Sequence, residues 1–263
     1  MCKKIHFLFC QFGINIKIFV RSVQNLLWFF SCLKKLRKQA GKQTNNVAFP
    51  IDKLYPCLVD RFDSSGSASG HYFHQDLLVA ERIFMNNPQT HYDVGSRVDG
   101  FVAHVASFRK IYVLDIRHLQ SKLRNIIFEQ QDFMAQLKDS LKECTDSLSC
   151  LHAVEHFGLG RYGDTVDCEG YLKGLENLYG ILKPNGKFYF SVPIGKQRIE
   201  FNAHRIFSVK YLLELFNGKY QIDHFSYVDD LGDLHENTEL TEASIANNFN
   251  CSFGCGIFEM RKI

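Results

Sequence analysis

Apolar runs of strand length alternate along this chain with apolar stripes of helical spacing. A short run ending at Asp93 is followed by a turn through Gly95 and Gly100, an apolar helix-like segment, and the β-branched run Ile111 to Leu114, which closes on Asp115. That order predicts strand, glycine turn, helix, strand, acid. The pattern then repeats. Ile126 to Glu129 reads as a third strand, Met134 to Glu143 as a mostly polar helix, and Ser147 to Val154 as a fourth strand broken by His152. Leu172, Leu175, Leu178 and Leu182 form the stripe of a helix over Glu169 to Leu182, stopped by Lys183-Pro184-Asn185-Gly186. Lys187 to Pro193 reads as the fifth strand, Ser208 to Phe216 as a helix, and Tyr220 to Tyr227 and Gly256 to Arg261 as later strands. Upstream, Leu77, Leu78, Ala80 and Ile83 give helical spacing over Leu77 to Phe84, entered from a flexible loop at Ser64 to Gly70 and the segment His71 to Asp76. The alternation implies an α/β domain with a doubly wound, mostly parallel sheet of seven strands.

In such a sheet a ligand sits at the carboxyl ends of the strands, where glycines let the backbone approach it and an acid after the second strand binds a ribose. Asp115 lies twenty residues beyond Gly95, at the spacing that role needs. The middle glycine of G-x-G-x-x-G is missing, because Gly95-Ser96-Arg97 runs into Val98-Asp99-Gly100. Two readings stand open: a nucleotide-type ligand, or an ordinary βαβ unit with Asp115 as a solvated turn residue. A loop carrying Tyr72 and Gln75 ahead of the turn could fold over a ligand, or Tyr72 and Phe73 could anchor the following helix.

Composition adds limits. With 263 residues and 46% hydrophobic content, one substantial core plus an extension is expected, divided here as 1–46 and 47–263. The net charge of +3 demands no nucleic acid. Nine cysteines without a C-x-x-C pair indicate a reducing, cytoplasmic setting. The extension is aromatic and basic, with Lys3, Lys4, Lys17, Arg21, Lys34, Lys35, Arg37 and Lys38 and no acid before Asp52. Lys17 and Arg21 interrupt a membrane span. What stands is a helix lying on an anionic membrane surface, peripheral to the inner membrane, or one that packs on the domain or on a second copy in a homo-oligomer.

The element order resembles the class I S-adenosylmethionine-dependent methyltransferases. Asp93-Val94-Gly95-Ser96 is similar to the start of their glycine-rich first motif, Asp115 and Ile116 to the ribose-binding acid and its neighbour, and Gln131-Asp132 to the adenine-side pair. Leu182-Lys183-Pro184-Asn185-Gly186-Lys187 resembles the turn before their fifth strand. Together with Tyr72-Phe73-His74-Gln75-Asp76, E-H-F-G-L-G-R-Y-G-D and F-N-A-H-R-I-F, the set also resembles a bacterial branch of that superfamily found among surface-polysaccharide (capsule) genes. The resemblance implies a Rossmann-like methyltransferase fold, S-adenosylmethionine held by Tyr72, Gln75, Asp93, Gly95, Ser96, Asp115, Ile116, Gln131 and Asp132, and transfer to a sugar hydroxyl of a nucleotide-linked sugar.

His152-Ala153-Val154-Glu155-His156 carries the sharper chemistry. As H-x-x-E-H it matches the inverted zinc-protease signature, but that motif must lie on a helix, and here a strand-like run precedes it. Some sugar-hydroxyl and phenol O-methyltransferases carry E-x-x-E-H at this place and a further histidine after the fifth strand. The resemblance therefore implies a divalent ion, Mn, Fe or Zn, on His152, Glu155, His156 and His204, with two or three histidines disfavouring Mg. Without a metal, His152 or His156 is the general base, with Glu155 among the residues that activate the acceptor. Arg161, Arg198 and Arg205 could meet phosphates of a nucleotide-linked sugar, or serve as ion-pair residues. The alternatives are a non-catalytic cofactor-binding scaffold of polysaccharide machinery and a nicotinamide-dependent sugar-modifying enzyme.

Overall fold

The computed structural model describes residues 7, 9–42, 49–120 and 123–263. Lys3, Lys4 and the expected boundary between residues 46 and 47 lie outside the described residues. The chain divides into two compact units, Met1–Ser67 and Ala68–Ile263.

The first unit is built on α1 (Ile16–Ala40), whose start is capped by the Asn15 side chain accepting from the Lys17 and Ile18 amides. Arg37 and Lys38 occupy its last turn, where cations favour the helix dipole. Its one buried residue is polar: Asn25 donates from Nδ2 to the Leu58 carbonyl at 2.7 Å. Phe19, Leu27 and Phe30 are exposed. By length and composition α1 can cross a membrane despite Lys17 and Arg21, its 25 residues spanning roughly 37 Å.

The second unit is a wound α/β sheet. In chain order it comprises α2 (His71–Asn86), β1 (Tyr92–Val94), a π-helical turn (Val98–Val102) running into α3 (Ala103–Ala106), β2 (Ile111–Asp115), β3 (Ile126–Gln130), β4 (Thr145–Leu151) and α4 (Gly170–Ile181). Then follow β5 (Leu182–Ile194), β6 (Arg198–Glu200), β7 (His204–Ile206), α5 (Val209–Phe216), β8 (Tyr220–Val228), β9 (Leu234–His235), α6 (Glu242–Ala246) and β10 (Gly254–Lys262). The sheet order is β3-β2-β1-β4-β5-β10-β8-β9. β3 through β5 are parallel and β10 runs antiparallel to both β5 and β8, so the seven expected strands are present with the two-residue β9 added at one edge. β6 and β7 form a separate hairpin.

Apolar side chains fill both faces. On one, Phe188, Phe190, Phe258 and Leu178 are packed; on the other, Ile83, Phe101, Val102 and Ile111. Both faces are covered, so the parallel strands are largely buried, although β4 carries Thr145, Ser147 and Ser149 inside.

Local differences from expectation have physical causes. The segment His71 to Asp76 is the first turn and a half of α2, not a loop before it. No regular helix forms over Met134 to Glu143, which has only a 3-10 turn at Asp139–Leu141. There the Asn177 amide takes the Phe133 and Ala135 carbonyls at 2.6 and 2.7 Å, carbonyls a helix would have used itself. The fourth strand stops at Leu151 because His152 turns left-handed, at φ 50°.

Candidate active site

β1 pairs with β2 on one side and β4 on the other, and the chain winds outward in both directions from that point. A crevice opens at the carboxyl ends of strands flanking such a switch. Here it is a cavity of about 300 Å³. At its floor Gly95 has φ 77°, and a Cβ on it would lie 2.7 Å from the Cβ of Ala153, the residue after the β4 turn. Only glycine lets the two strand ends approach this closely.

Behind the floor runs a buried polar chain. Asp93 accepts from the Ser96 amide at 3.1 Å, the Ser96 hydroxyl at 2.7 Å and the Ser149 hydroxyl at 2.6 Å. Ser149 also meets His91 Nε2 at 3.1 Å, and His91 Nδ1 meets the Ser147 hydroxyl at 2.8 Å. Burial raises the Asp93 pKa to about 7, against the three donors that favour its charge. Burial likewise lowers that of His91 to about 3. Asp93 therefore sets the Gly95-Ser96 turn from behind and does not itself line the cavity, which corrects its expected contact with a cofactor.

The missing fingerprint glycine has a counterpart in shape. Arg97 stands where it would be, its side chain turned outward onto Asp99 at 2.8 Å. The chain then bulges through the π turn, where Gly100 has φ −121° and ψ −113°. A Cβ on Gly100 would come within 2.8 Å of Asp76 Oδ2. Asp76 lines the cavity from α2, its pKa raised by burial to about 6. Tyr72, one helical turn earlier, and the neighbouring Gln75 line it too. Gln75 is fixed by the Ser191 hydroxyl at 2.6 Å.

Asp115 and Ile116 line the cavity at the end of β2, and Gln131 and Asp132 follow β3 at its far side with Phe133 and Met134. The Asp115 carboxylate is engaged by Arg117, at 3.0 Å from Nε and 2.5 Å from Nη2. Arg117 also lies over the Tyr162 ring, 4.7 Å from its centre. Arg161 and Tyr162 reach the cavity from a loop in which Gly158, Gly160 and Gly163 all have positive φ. Asp164 ties that loop by accepting from the amides of Gly158, Gly160 and Tyr162.

His152 and His156 both line the cavity, and Glu155 lies fully buried beside them. His152 Nδ1 is 2.7 Å from Glu155 Oε1. A carboxylate only accepts, so Nδ1 carries a proton; Nε2 is buried and makes no close hydrogen bond. Burial opposes charge on His152, but Cys255 and Glu155 outweigh it and its pKa is raised. His156 donates from Nδ1 to the Ala203 carbonyl at 2.7 Å, and burial lowers its pKa. Its Nε2, left as an acceptor, stands 3.7 Å from Glu155 Oε1.

Three expected site residues do not join this group. His204 is 6.4 Å from His156 between ring centres and pairs with Glu200 at 3.3 Å, so the four-residue metal set does not converge on one point. Arg198 spends its donors on Glu200 and on the Lys196 and Ser252 carbonyls. Arg205 is buried, its fork held by the Phe157 carbonyl at 2.5 Å and stacked over Tyr171, which leaves nothing for a phosphate. Sequence reasoning missed Asp76, Arg117 and Tyr162 at the cavity. It also missed the approach of His71 and Cys255 to His152: among the described residues, those three bring metal-ligating atoms within 4.8 Å of one another.

Residues 102–254, more than half of the chain, match the family described as Caenorhabditis protein of unknown function, DUF268. The chain belongs to this family. The description names Caenorhabditis proteins and does not show the bacterial surface-polysaccharide branch expected from the sequence. No curated protein matches the DUF268 chain. Among solved structures it is similar to the [4+2]-cyclase SpnF, at 14% identity and a TM-score of 0.51 over 72% of this chain and 80% of that one. It is also similar to the N-methyltransferase NodS from Bradyrhizobium japonicum WM9, at 9% identity and a TM-score of 0.50 over 74% of this chain and 99% of that one. The shared feature is the Rossmann-like methyltransferase fold. Since one relative is a cyclase and the other a methyltransferase, the reaction has to be argued from the site.

Proposed function

We propose that this DUF268 chain is an S-adenosylmethionine-dependent O-methyltransferase acting on a sugar hydroxyl, with a nucleotide-linked sugar as acceptor. The supporting observation is the meeting of the Gly95 floor, the Asp115 carboxylate and a buried His-Glu-His group in one cavity at the switch point. The volume is at the lower end of the range for cofactor pockets. The residues fit the cofactor: a glycine that a Cβ would clash with, an acid for ribose hydroxyls, and Gln131 and Asp132 beside Phe133 and Met134 for an adenine. When bound, S-adenosylmethionine supplies an electrophilic sulfonium methyl.

The chain's own residues position the acceptor and remove its proton. Neutral His156 has its Nδ1 tied to Ala203, so Nε2 is the atom that accepts a hydroxyl proton. The imidazolium that results stands beside Glu155, whose charge stabilises it. Arg161, held to the Ala203 carbonyl at 2.9 Å and lying over Tyr162, lines the cavity where an acceptor phosphate would be met. Tyr72 lines the same cavity from α2.

The exposed apolar side chains of α1, with the basic cluster at its end, support contact with an anionic membrane surface. The enzymatic reading is tested by calorimetric titration with S-adenosylhomocysteine, followed by transfer of labelled methyl to a panel of nucleotide sugars. Saturable binding that Asp115→Ala severely weakens is expected. Equal binding by both proteins, or none by either, would overturn the reading.

A further inference from the structure

We propose that His71, His152 and Cys255 form a binding site for one thiolate-ligated transition metal ion, zinc by the chemistry of its donors, beside the cavity that His152 lines. The three residues come from distant parts of the chain: the first residue of α2, the residue after β4, and the second residue of β10. Their ligand atoms all lie within 4.8 Å of one another. A tetrahedral zinc site with ordinary Zn–N and Zn–S bonds has donor-to-donor edges of roughly 3.3–3.8 Å. Contraction by about an ångström, within side-chain rotation, completes it.

The surroundings are those of a metal site. Glu155 accepts the proton-bearing Nδ1 of His152 and so directs the other nitrogen, buried and without a close hydrogen bond, to ligate. This is the carboxylate–histidine–metal arrangement, in which the carboxylate fixes both tautomer and ring direction. The second oxygen of Glu155 is also buried without a partner behind the cluster. His71 is held by a backbone hydrogen bond at Phe253, a second orienting contact. The left-handed backbone at His152 brings its ring against that of His71, 5.2 Å between centres and nearly parallel.

Cys255 is fully buried and forms no disulfide. Its sulfur lies 3.7 Å from Gln75 Oε1 and 3.9 Å from the Gly256 carbonyl, and it interacts with His152. A thiolate excludes magnesium and calcium, and two imidazoles with one sulfur suit zinc. The ion would carry a net positive charge after one thiolate, with Glu155 behind it. Three protein ligands leave the fourth position for water or an acceptor oxygen, as in catalytic zinc sites.

Only the catalytic consequence rests on the methyl-transfer reading; metal binding does not. The test is cobalt(II) titration of the chelator-stripped full chain. One equivalent should bind, with a sulfur-to-cobalt charge-transfer band in the near ultraviolet and the intense visible bands of four-coordination, and zinc should displace it. Cys255→Ala should lose the near-ultraviolet band, and Glu155→Gln should bind about 10–100-fold more weakly. His204→Gln should titrate as wild type. No saturable uptake by folded protein, or an unchanged spectrum in Cys255→Ala, overturns the proposal. Should Cys255→Ala lack a folded circular dichroism spectrum, His71→Asn serves instead, and unchanged cobalt affinity there is equally decisive. S-adenosylhomocysteine is titrated into the same preparation. Cofactor binding without metal then sinks this inference alone, and metal binding without cofactor sinks the methyl-transfer reading alone.

Discussion

The buried chain Asp93–Ser149–His91–Ser147 makes a quantitative prediction about stability and pH. His91 titrates near 6.5 when unfolded and near 3 when folded, because burial disfavours its charge. Arg109 also lowers it and Asp146 opposes. Between those pH values the unfolded chain holds one more proton than the native one, so stability falls by about 1.4 kcal/mol for each pH unit of acidification. Asp93 works in the opposite sense. Its carboxyl titrates near 3.8 unfolded and near 7 folded, with burial dominant and Asp115 adding to it. From pH 7 down to 3.8 the native protein holds the extra proton, and stability rises on acidification at the same slope. That contribution is complete below 3.8 and lost as pH rises through 7.

The two slopes cancel from about pH 3.8 to 6.5, and each single variant should expose the other's. Relative to wild type, Asp93→Asn should lose about 2.7 kcal/mol of stability on going from pH 6 to pH 4, and His91→Gln should gain a similar amount. The measurement is the unfolding free energy from urea titrations at intervals across that range. Subtracting the wild-type profile removes the contribution of other carboxylates. Profiles parallel to wild type in both variants would show that neither group titrates as its burial dictates. The hydrogen bonds supply a second readout. When Asp93 is charged, Ser149 donates to it and must accept from His91 Nε2–H; when Asp93 is protonated the chain can reverse, with Nδ1–H donating to Ser147. Nitrogen NMR of His91 should therefore show a change of tautomer near pH 7, with the ring neutral throughout.

Other outcomes follow from the same geometry. Gly95→Ala forces a side chain into a left-handed position and against Ala153, so calorimetry should show S-adenosylhomocysteine affinity at least about tenfold weaker, the left-handed cost alone being roughly 1–2 kcal/mol. Arg117→Met frees Asp115 from a half-exposed ion pair worth about 0–1 kcal/mol and should tighten the same ligand by up to about fivefold; weaker binding would mean that Arg117 helps to hold it. His156→Gln should lower kcat by about 10²–10⁴ with little change in acceptor KM, and a loss confined to KM would remove His156 as the base. Replacing Lys34, Lys35 and Lys38 by Glu should abolish sedimentation with phosphatidylserine vesicles, since each basic residue near such a surface contributes about 1 kcal/mol; unaltered sedimentation would mean that α1 does not bind by charge.

What could be read in the sequence was what neighbouring residues decide among themselves. The runs Ile111–Asp115 and Ile126–Gln130 became strands, and the leucine stripe after Glu169 became α4, because burial of one stripe or two faces needs only local periodicity. Where the periodicity is real but another segment competes for the backbone, the reading fails. Phe133, Leu137 and Leu141 recur at helical spacing and are buried, yet Asn177 binds the carbonyls of that segment and no helix forms. The inverse occurs at His71 to Asp76, whose polar side chains hid a helix because its inward face is the cavity wall and not a core. Arg205 shows the same limit in charge. A guanidinium in sequence suggests an anion, but three backbone carbonyls between Phe157 and Cys168 consume this one. The least legible feature is the nearness of His71, His152 and Cys255, separated by about eighty and a hundred residues. Their spacing has no period, and only the winding of the sheet, which sets β10 beside β5 and β5 beside β4 with α2 packed on one face, brings the two imidazoles and the thiol together.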